Sequence, residues 1–189
     1  MRSLEIQISQ LDARLQVIKT LLMPLRQRGI PVACQICRRQ YNGCKVIAAH
    51  EGIKDAENFE QWNFRTFAPD IWSQYYEFWK PFDGYSKLNL YRAYLNILIL
   101  NRETHGFDKL VSVHCDPCEE GDEPHRSYKR GPHLHVQRAE DPIPKCHFPL
   151  NLTELNRVLS SVDNITDALK SAVQILSDEV VSRYQIADE

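Results

Sequence analysis

The chain has 189 residues, of which 43% are hydrophobic and 25% are charged, a composition typical of one globular domain with a buried core. The formal net charge is −2, from 23 basic and 25 acidic residues, which argues against a generally basic nucleic-acid coat but not against a local basic site. The sequence has no apolar run of about 18 residues and its start lacks a signal-peptide core, so we expect a cytoplasmic protein without a membrane span.

The amino-terminal part of the sequence predicts a strand, a helix and a hairpin. Apolar residues alternate with polar ones over 4–8, and an apolar stripe with helical spacing follows from Leu11 to Leu25. Residues 31–50 alternate on both sides of the turn sequence Tyr41-Asn42-Gly43, which indicates a β-hairpin.

All three tryptophans and most of the other aromatic residues lie within residues 59–85. We expect either a short helix and loop that close one end of the core, or an aromatic wall for a ligand or a partner chain. Residues 86–103 carry apolar side chains at helical spacing and predict a buried central helix. These features together predict an aromatic-rich helical insert at about 57–105.

The second half of the sequence predicts three short strands and a long helix. The strands are expected over 109–115, 132–138 and 145–150, and the later apolar stripe predicts a helix that packs on the sheet or on another chain. We therefore expect an α+β fold with a mostly antiparallel sheet and long N-terminal, central and C-terminal helices. Residues 1–150 would form the core domain, and residues 151–189 a C-terminal helical extension packed on it.

Histidines are concentrated on these last three predicted strands. Alternate residues of a strand share a face, so pairing of the first two strands would bring His114, His133 and His135 together, and the third would add His147. Three imidazoles can hold zinc and leave one position for a water molecule, whose pKa the ion lowers to about 7. Without a metal, the same imidazoles could act as acid, base or phosphate ligand, or could form an ordinary polar strand face.

The cysteines offer a second metal arrangement. Without an export signal we expect the six thiols to be reduced. The pairs Cys34–Cys37 and Cys115–Cys118 each have Cys-x-x-Cys spacing, and two such pairs can close a structural Cys₄ zinc site. However, the two pairs lie far apart in the sequence. In addition, the side chains of Cys34 and Cys37 would lie on opposite faces of a strand. The other interpretation is that Cys34 is a small core side chain.

A thiol nucleophile is a third interpretation of the same segment. A cysteine would be activated by a neighbouring imidazole, and a loop carboxylate would orient that imidazole. The same carboxylate could instead serve a metal site as general base or acid. Strand alternation turns the thiol of Cys115 away from the histidines, whereas Cys118 lies on the loop and is freer to approach them. The candidate catalytic residues are Cys115, Cys118, Glu119, Glu120, His133 and His135.

The loop between the first two histidine strands, residues 116–131, is acidic in its first half and basic in its second. Such a split is typical of a solvated turn. It would also suit a mobile lid whose basic half holds an anionic substrate, including a phosphate ester or a nucleic acid.

The order Cys–Glu–His–His, ending at His133 and His135, resembles the domain of that name predicted in bacterial ubiquitin-like conjugation operons, which are associated with phage defence. The resemblance is confined to this short segment. It implies a small α+β domain with a hydrolase- or transferase-like site, working beside a ubiquitin-like protein and its activating enzyme.

The succession of His135 and Cys146 is similar in order to ubiquitin-conjugating enzymes, in which case Cys146 would carry the thioester. The His-Pro-Asn triplet of that family is absent from this sequence, and the aromatic segment interrupts the sheet expected of it.

We therefore expect a small hydrolase- or transferase-like enzyme that binds zinc or needs no cofactor and has a protein partner such as a ubiquitin-like protein. The alternatives are an E2-like conjugating protein, a zinc-stabilised adaptor module and a toxin-like, histidine-dependent ribonuclease. A nucleic-acid partner is only weakly indicated, and no membrane partner is expected.

Overall fold

A computed structural model describes residues 4–52, 57–82, 84, 86–118, 129–136, 146–150 and 154–186. The fold is α+β, as predicted, with a mostly antiparallel sheet and with helices near both ends of the chain. Within the described ranges, no helix is long and apolar enough to cross a membrane.

The described ranges contain nine strands, which form one antiparallel sheet in the order β2-β3-β5-β6-β7-β8-β9, with β1 paired to β6 and β4 paired to β5. The strands are β1 (Glu5–Gln7), β2 (Val32–Ile36), β3 (Lys45–Glu51), β4 (Phe64–Arg65), β5 (Ile71–Phe82), β6 (Lys87–Asn101), β7 (Gly106–Cys115), β8 (His133–Val136) and β9 (Cys146–Pro149). The predicted first hairpin is confirmed as β2 and β3. Its Asn42 and Gly43 have φ of 50° and 75°, the positive values that two-residue hairpin turns require.

The α-helices cover one side of this sheet, and a 3₁₀ turn at Phe59–Gln61 lies on the other. They are α1 (Leu11–Leu21), α2 (Leu155–Val158), α3 (Val162–Leu176) and α4 (Ser182–Ile186), and a π-helical turn over Ser177–Val181 joins the last two. The apolar stripe of α3 shares one core with α1 and the inner face of the sheet, so the C-terminal helix packs on the sheet of its own chain. Ser161 caps α3, because its hydroxyl accepts a hydrogen bond from the backbone N–H of Asn164 at 3.1 Å.

The predicted helices of the aromatic segment and of residues 86–103 are wrong. Residues 71–82 form β5 and residues 87–101 form β6, so the predicted helical insert is instead the centre of the sheet. The reason is that both faces of β5 carry large side chains: Tyr75 points into the main core, while Tyr76 and Phe78 pack in a second cluster on the opposite side. Apolar residues on both faces hide the two-residue period of a strand.

A β-bulge explains the helical spacing in β6. Phe78 pairs with Arg92 whereas Trp79 pairs with Leu90, so Tyr91 is an extra residue that shifts the alternation. The shift places apolar residues three and four positions apart, which imitates the period of a helix.

A buried ion pair ties α1 to the centre of the sheet. Arg14 contacts Glu77 through Nε at 3.1 Å and Nη2 at 2.5 Å, and both side chains are almost fully buried. Glu77 also accepts hydrogen bonds from the Tyr75 hydroxyl at 2.5 Å and the Trp79 indole N–H at 2.9 Å. Burial alone would lower the pKa of Arg14, but the adjacent carboxylate outweighs it and raises that pKa. Nη1 of Arg14 reaches Thr166 of α3 at 2.6 Å, so the network joins both helices to the sheet.

Candidate metal centre on the histidine face

The three predicted histidine strands pair as expected, β7 with β8 and β8 with β9. His114 lies opposite His133, and His135 lies opposite His147. Val111, Val113 and Cys115 of β7 point the other way and pack in the main core. The four histidines therefore share the side of the sheet that faces away from the helices, here called the histidine face.

The imidazole rings of the histidine face are in mutual contact. The ring centroid of His135 lies 3.9 Å from that of His114, 4.8 Å from that of His133 and 3.9 Å from that of His147. The Tyr94 ring of β6 stacks on His114 at 4.0 Å and extends the row toward the middle of the sheet.

Three of these histidines can hold one metal ion. The ligand nitrogens of His114, His133 and His135 all lie within 4.8 Å of one another. Nitrogens on one tetrahedral zinc ion are about 3.3 Å apart, from Zn–N bonds near 2.0–2.1 Å, so modest side-chain rotation would close the site. Within the described residues this is the only such group of three or more histidine, cysteine or carboxylate side chains, and it does not include His147.

Two of the candidate ligand atoms lack other partners. Nε2 of His114 and Nε2 of His135 are buried and have no hydrogen-bond partner among the described residues. Burial, reinforced by the neighbouring histidines, lowers the pKa of His114 to about 2 and that of His135 to about 3. Both imidazoles are thus neutral at pH 7, which is the form that binds a metal.

His133 is completely buried and its ring is oriented by a backbone group. Its Nδ1 lies 2.9 Å from the carbonyl oxygen of Gly131. Because a carbonyl only accepts, Nδ1 carries the proton, and Nε2 of the neutral ring is the nitrogen that offers a lone pair. Metal-binding histidines are commonly oriented in this way.

Three residues beside the histidines were missing from the predicted site: Asp116, Tyr94 and Arg92. Asp116 lies 5% exposed, with Oδ2 3.9 Å from Nε2 of His133. Its Oδ1 accepts a hydrogen bond from the Tyr94 hydroxyl at 2.7 Å and lies 3.3 Å from Nε of Arg92. Because residues 86–103 were predicted to form a helix, Tyr94 and Arg92 were not expected beside the histidine strands. The alternation of Arg92, Tyr94 and Asn96 with apolar neighbours is the signal that could have revealed it.

The four cysteines of the alternative zinc site do not converge. Cys34 packs in the main core and Cys37 in the second cluster, on opposite sides of the sheet, and burial raises the pKa of each thiol to about 12. Cys115 is also fully buried in the main core, with a strongly raised pKa, and faces away from the histidines as strand alternation predicted. Cys118 is partly buried, and its sulphur contacts the carbonyl oxygen of Leu90 at 3.4 Å.

The predicted carboxylates Glu119 and Glu120 lie outside the described residues, as does the side chain of Cys146. Of the basic half of the loop, Lys129 and Arg130 are described. Arg130 donates from Nε to the carbonyl of Pro117 at 3.1 Å, which secures the two ends of the loop to each other. The lid interpretation of the remaining loop therefore stays a prediction.

A cleft of about 300 Å³ opens beside the histidine face, and Tyr94 belongs to both. It is called the aromatic cleft and is lined by Tyr41, Phe59, Glu60, Gln74, Tyr76, Phe78, Arg92 and Tyr94. The sequence left open whether the aromatic segment closes the core or forms a wall. Residues of the segment lie on both sides of the sheet: Tyr75 and Trp79 fill the main core, while Phe59, Tyr76 and Phe78 line the cleft. Whether the cleft serves a ligand or a partner chain stays a prediction.

Comparison of the chain with protein-family models, with curated proteins and with solved structures finds no match.

Proposed function

We propose that the protein is a metal-dependent hydrolase whose metal ion, zinc by its ligand type, is held by His114, His133 and His135. The observation that carries this proposal is the convergence of three imidazole nitrogens within 4.8 Å, two of them buried without a hydrogen-bond partner in the described part of the chain. An unpartnered buried nitrogen costs about 1–3 kcal/mol, which a metal bond would offset. Three histidines leave a fourth position on zinc for a water molecule.

Asp116 is the residue best placed to handle protons at this site. Its Oδ2 is 3.9 Å from Nε2 of His133, the nitrogen that would hold the metal, so the carboxylate lies beside the three imidazoles and could accept a proton there. Tyr94 and Arg92 hold its other oxygen. We assign Asp116 as general base toward the water nucleophile, with Tyr94 and Arg92 as positioning residues.

A metal site is favoured over a metal-free histidine pair because of how the rings are surrounded. His114 and His135 pack against other rings and against each other, and within the described residues Nε2 of each has no hydrogen-bond partner, carboxylates included. A general acid would need to carry that charge, whereas a metal ligand must be neutral.

The first experiment is elemental analysis of tag-free protein. We expect close to one zinc ion per chain in the wild type and none in a His133→Ala/His135→Ala double variant. His105→Asn is the matched control, because His105 is exposed in the turn before β7, where asparagine also tolerates its φ of 53°. Zinc retained by a folded double variant, or no transition metal bound by the wild type at micromolar concentrations, would contradict the proposal.

Catalysis is tested on the same proteins with bis(p-nitrophenyl) phosphate and p-nitrophenyl acetate as generic ester substrates. We expect hydrolysis to disappear after chelation and to return with zinc in the wild type and His105→Asn, but not in the double variant. If that variant does not fold, as judged by circular dichroism, His114→Ala replaces it, because His114 is only partly buried.

The ubiquitin-like partner and the antiphage role implied by the Cys–Glu–His–His resemblance remain predictions beside this proposal. The metal-centred site uses the two histidines of that order and does not require its cysteine.

A further inference from the structure

The aromatic cleft is continuous with the histidine face. From Phe59 the ring centroids follow one another at 5.3 Å to Tyr76 and at 5.4 Å to Tyr94. The Tyr94 ring then stacks on His114 at 4.0 Å. A ligand seated against these tyrosines would therefore extend directly to the proposed metal site.

The walls of the cleft are held by ring packing and hydrogen bonds. Phe59 and Phe78 are 6% and 8% exposed and meet edge to face at 5.6 Å, and Tyr41, 45% exposed, packs on both rings at 5.7 Å. The Gln74 amide is fixed at both ends, since it donates to the carbonyl of Glu60 at 2.6 Å and accepts from Asn96 at 2.8 Å. Fixed aromatic walls with a few oriented polar groups suit a planar heterocycle.

A positive charge lies between the cleft and the histidines. Arg92 is 41% exposed, lines the aromatic cleft and is 3.3 Å from Asp116 at the edge of the histidine face. It also lines a second cleft of about 410 Å³ together with Lys80, and both cations lie over the Tyr91 ring, at 5.1 and 5.8 Å. Guanidinium groups bind phosphate oxygens in a planar, bidentate geometry.

We propose that the aromatic cleft binds a nucleobase and that Arg92 binds the adjoining phosphate, so that the substrate of the proposed hydrolase is a nucleotide. This inference rests on the proposed function, because it names the substrate class of that site. Base stacking on aromatic side chains supplies the affinity of the heterocycle, and Glu60, one of the lining residues, carries a carboxylate of the kind that accepts from a base N–H. The ligand is a free nucleotide or a terminal nucleotide of a single strand.

The alternative occupant is a quaternary ammonium group, which aromatic cages also bind. The charge of Arg92 argues against a quaternary ammonium ligand, because the ligand's positive charge would lie beside the guanidinium group.

The test measures binding to EDTA-treated, metal-free protein by isothermal titration calorimetry. The probes are AMP, adenosine, a 5′-phosphorylated pentanucleotide, inorganic phosphate and choline. We expect AMP to bind more tightly than adenosine or phosphate. A pentanucleotide that binds at least tenfold more tightly than AMP would identify a strand end as the source of the ligand, and equal binding would identify the free nucleotide.

Two variants test the two halves of the ligand. Tyr41→Ala should weaken AMP binding about tenfold, the equivalent of a stacking contribution of about 1.4 kcal/mol. Arg92→Gln should weaken AMP about tenfold and leave adenosine unchanged. The matched controls are Phe107→Ala, an aromatic residue 40% exposed on β7, and Arg102→Gln, whose side chain is 78% exposed; both should bind AMP as the wild type does.

Choline binding in preference to AMP, or AMP binding that neither Tyr41→Ala nor Arg92→Gln weakens, would overturn the inference, as would the absence of binding at millimolar AMP. Metal content is measured separately. AMP binding by a protein that contains no zinc before EDTA treatment and takes up none would overturn the proposed metal centre alone, and zinc bound by a protein that does not bind AMP would overturn this inference alone.

Discussion

Two clusters of buried polar groups, one on each side of the sheet, differ in how far their hydrogen bonds are satisfied. Toward the helices, the Glu77 carboxylate receives four hydrogen bonds and faces the one guanidinium that neutralises it. On the histidine face, buried nitrogens of His114 and His135 have no such partner within the described residues. The hydrogen-bonded ion pair fixes the position of α1 on the sheet. The unpartnered imidazole nitrogens instead mark a place where a bound metal ion would supply the missing partner.

The largest expected effect is on the helix side. Glu77→Ala leaves Arg14 buried without its counter-charge, and we expect a loss of about 3–5 kcal/mol in the free energy of unfolding. Urea denaturation followed by circular dichroism measures it. The control is Glu179→Ala, which removes an exposed ion pair with Arg183 and should leave the unfolding free energy close to that of the wild type.

A Glu77→Leu/Arg14→Met double variant sharpens the same comparison. Because it removes both charges, it should recover most of the stability lost in Glu77→Ala. Equal stability of Glu77→Ala and the wild type would show that the network does not hold α1 in place.

The second effect concerns the histidine face. Zinc at one hundred times its dissociation constant should raise the unfolding free energy of the metal-free wild type by about 2.7 kcal/mol. Zinc should leave the unfolding free energy of the His114→Ala/His135→Ala variant unchanged, and it should stabilise His105→Asn as it does the wild type. Urea titrations with and without zinc, followed by EDTA reversal, give this difference. An equal response in the double variant would mean that zinc binds elsewhere.

The residues that the sequence placed correctly are those whose alternation is clean. His114, His133 and His135 were predicted on one face because valines and leucine occupy the positions between them. The sequence did not predict the three residues beside them. Tyr94 and Arg92 were missed because the bulge at Tyr91 gives β6 a helical spacing, and Asp116 was missed because it follows the last residue of its strand. The aromatic cleft likewise depends on β5 pairing with β6. The sequence could not predict this pair, because both segments were predicted to be helical.

A smaller effect tests whether the unpartnered imidazoles are costly. His135→Phe keeps a ring between His114 and His147 but removes the buried nitrogen, so the metal-free variant should be as stable as the metal-free wild type or more stable by up to about 1 kcal/mol. It should also lose the response to zinc. Urea unfolding in EDTA provides the measurement. A loss above about 2 kcal/mol would show that the imidazole is structural, and the contrast with Glu77 would fail.

The smallest expected effect concerns Cys118, which unlike the other candidate catalytic thiol, Cys115, lies outside the main core. Its sulphur contacts a backbone carbonyl and lines the second cleft, so Cys118→Ser should keep the wild-type zinc content, unfolding free energy and rate of ester hydrolysis. A metal-centred reaction needs no thiol, because the ion supplies the nucleophile from water. Hydrolysis lost in a folded Cys118→Ser protein that still holds zinc would instead make the thiol the nucleophile, as the Cys–Glu–His–His resemblance implies. The histidine face would then serve to activate a cysteine and not a water molecule.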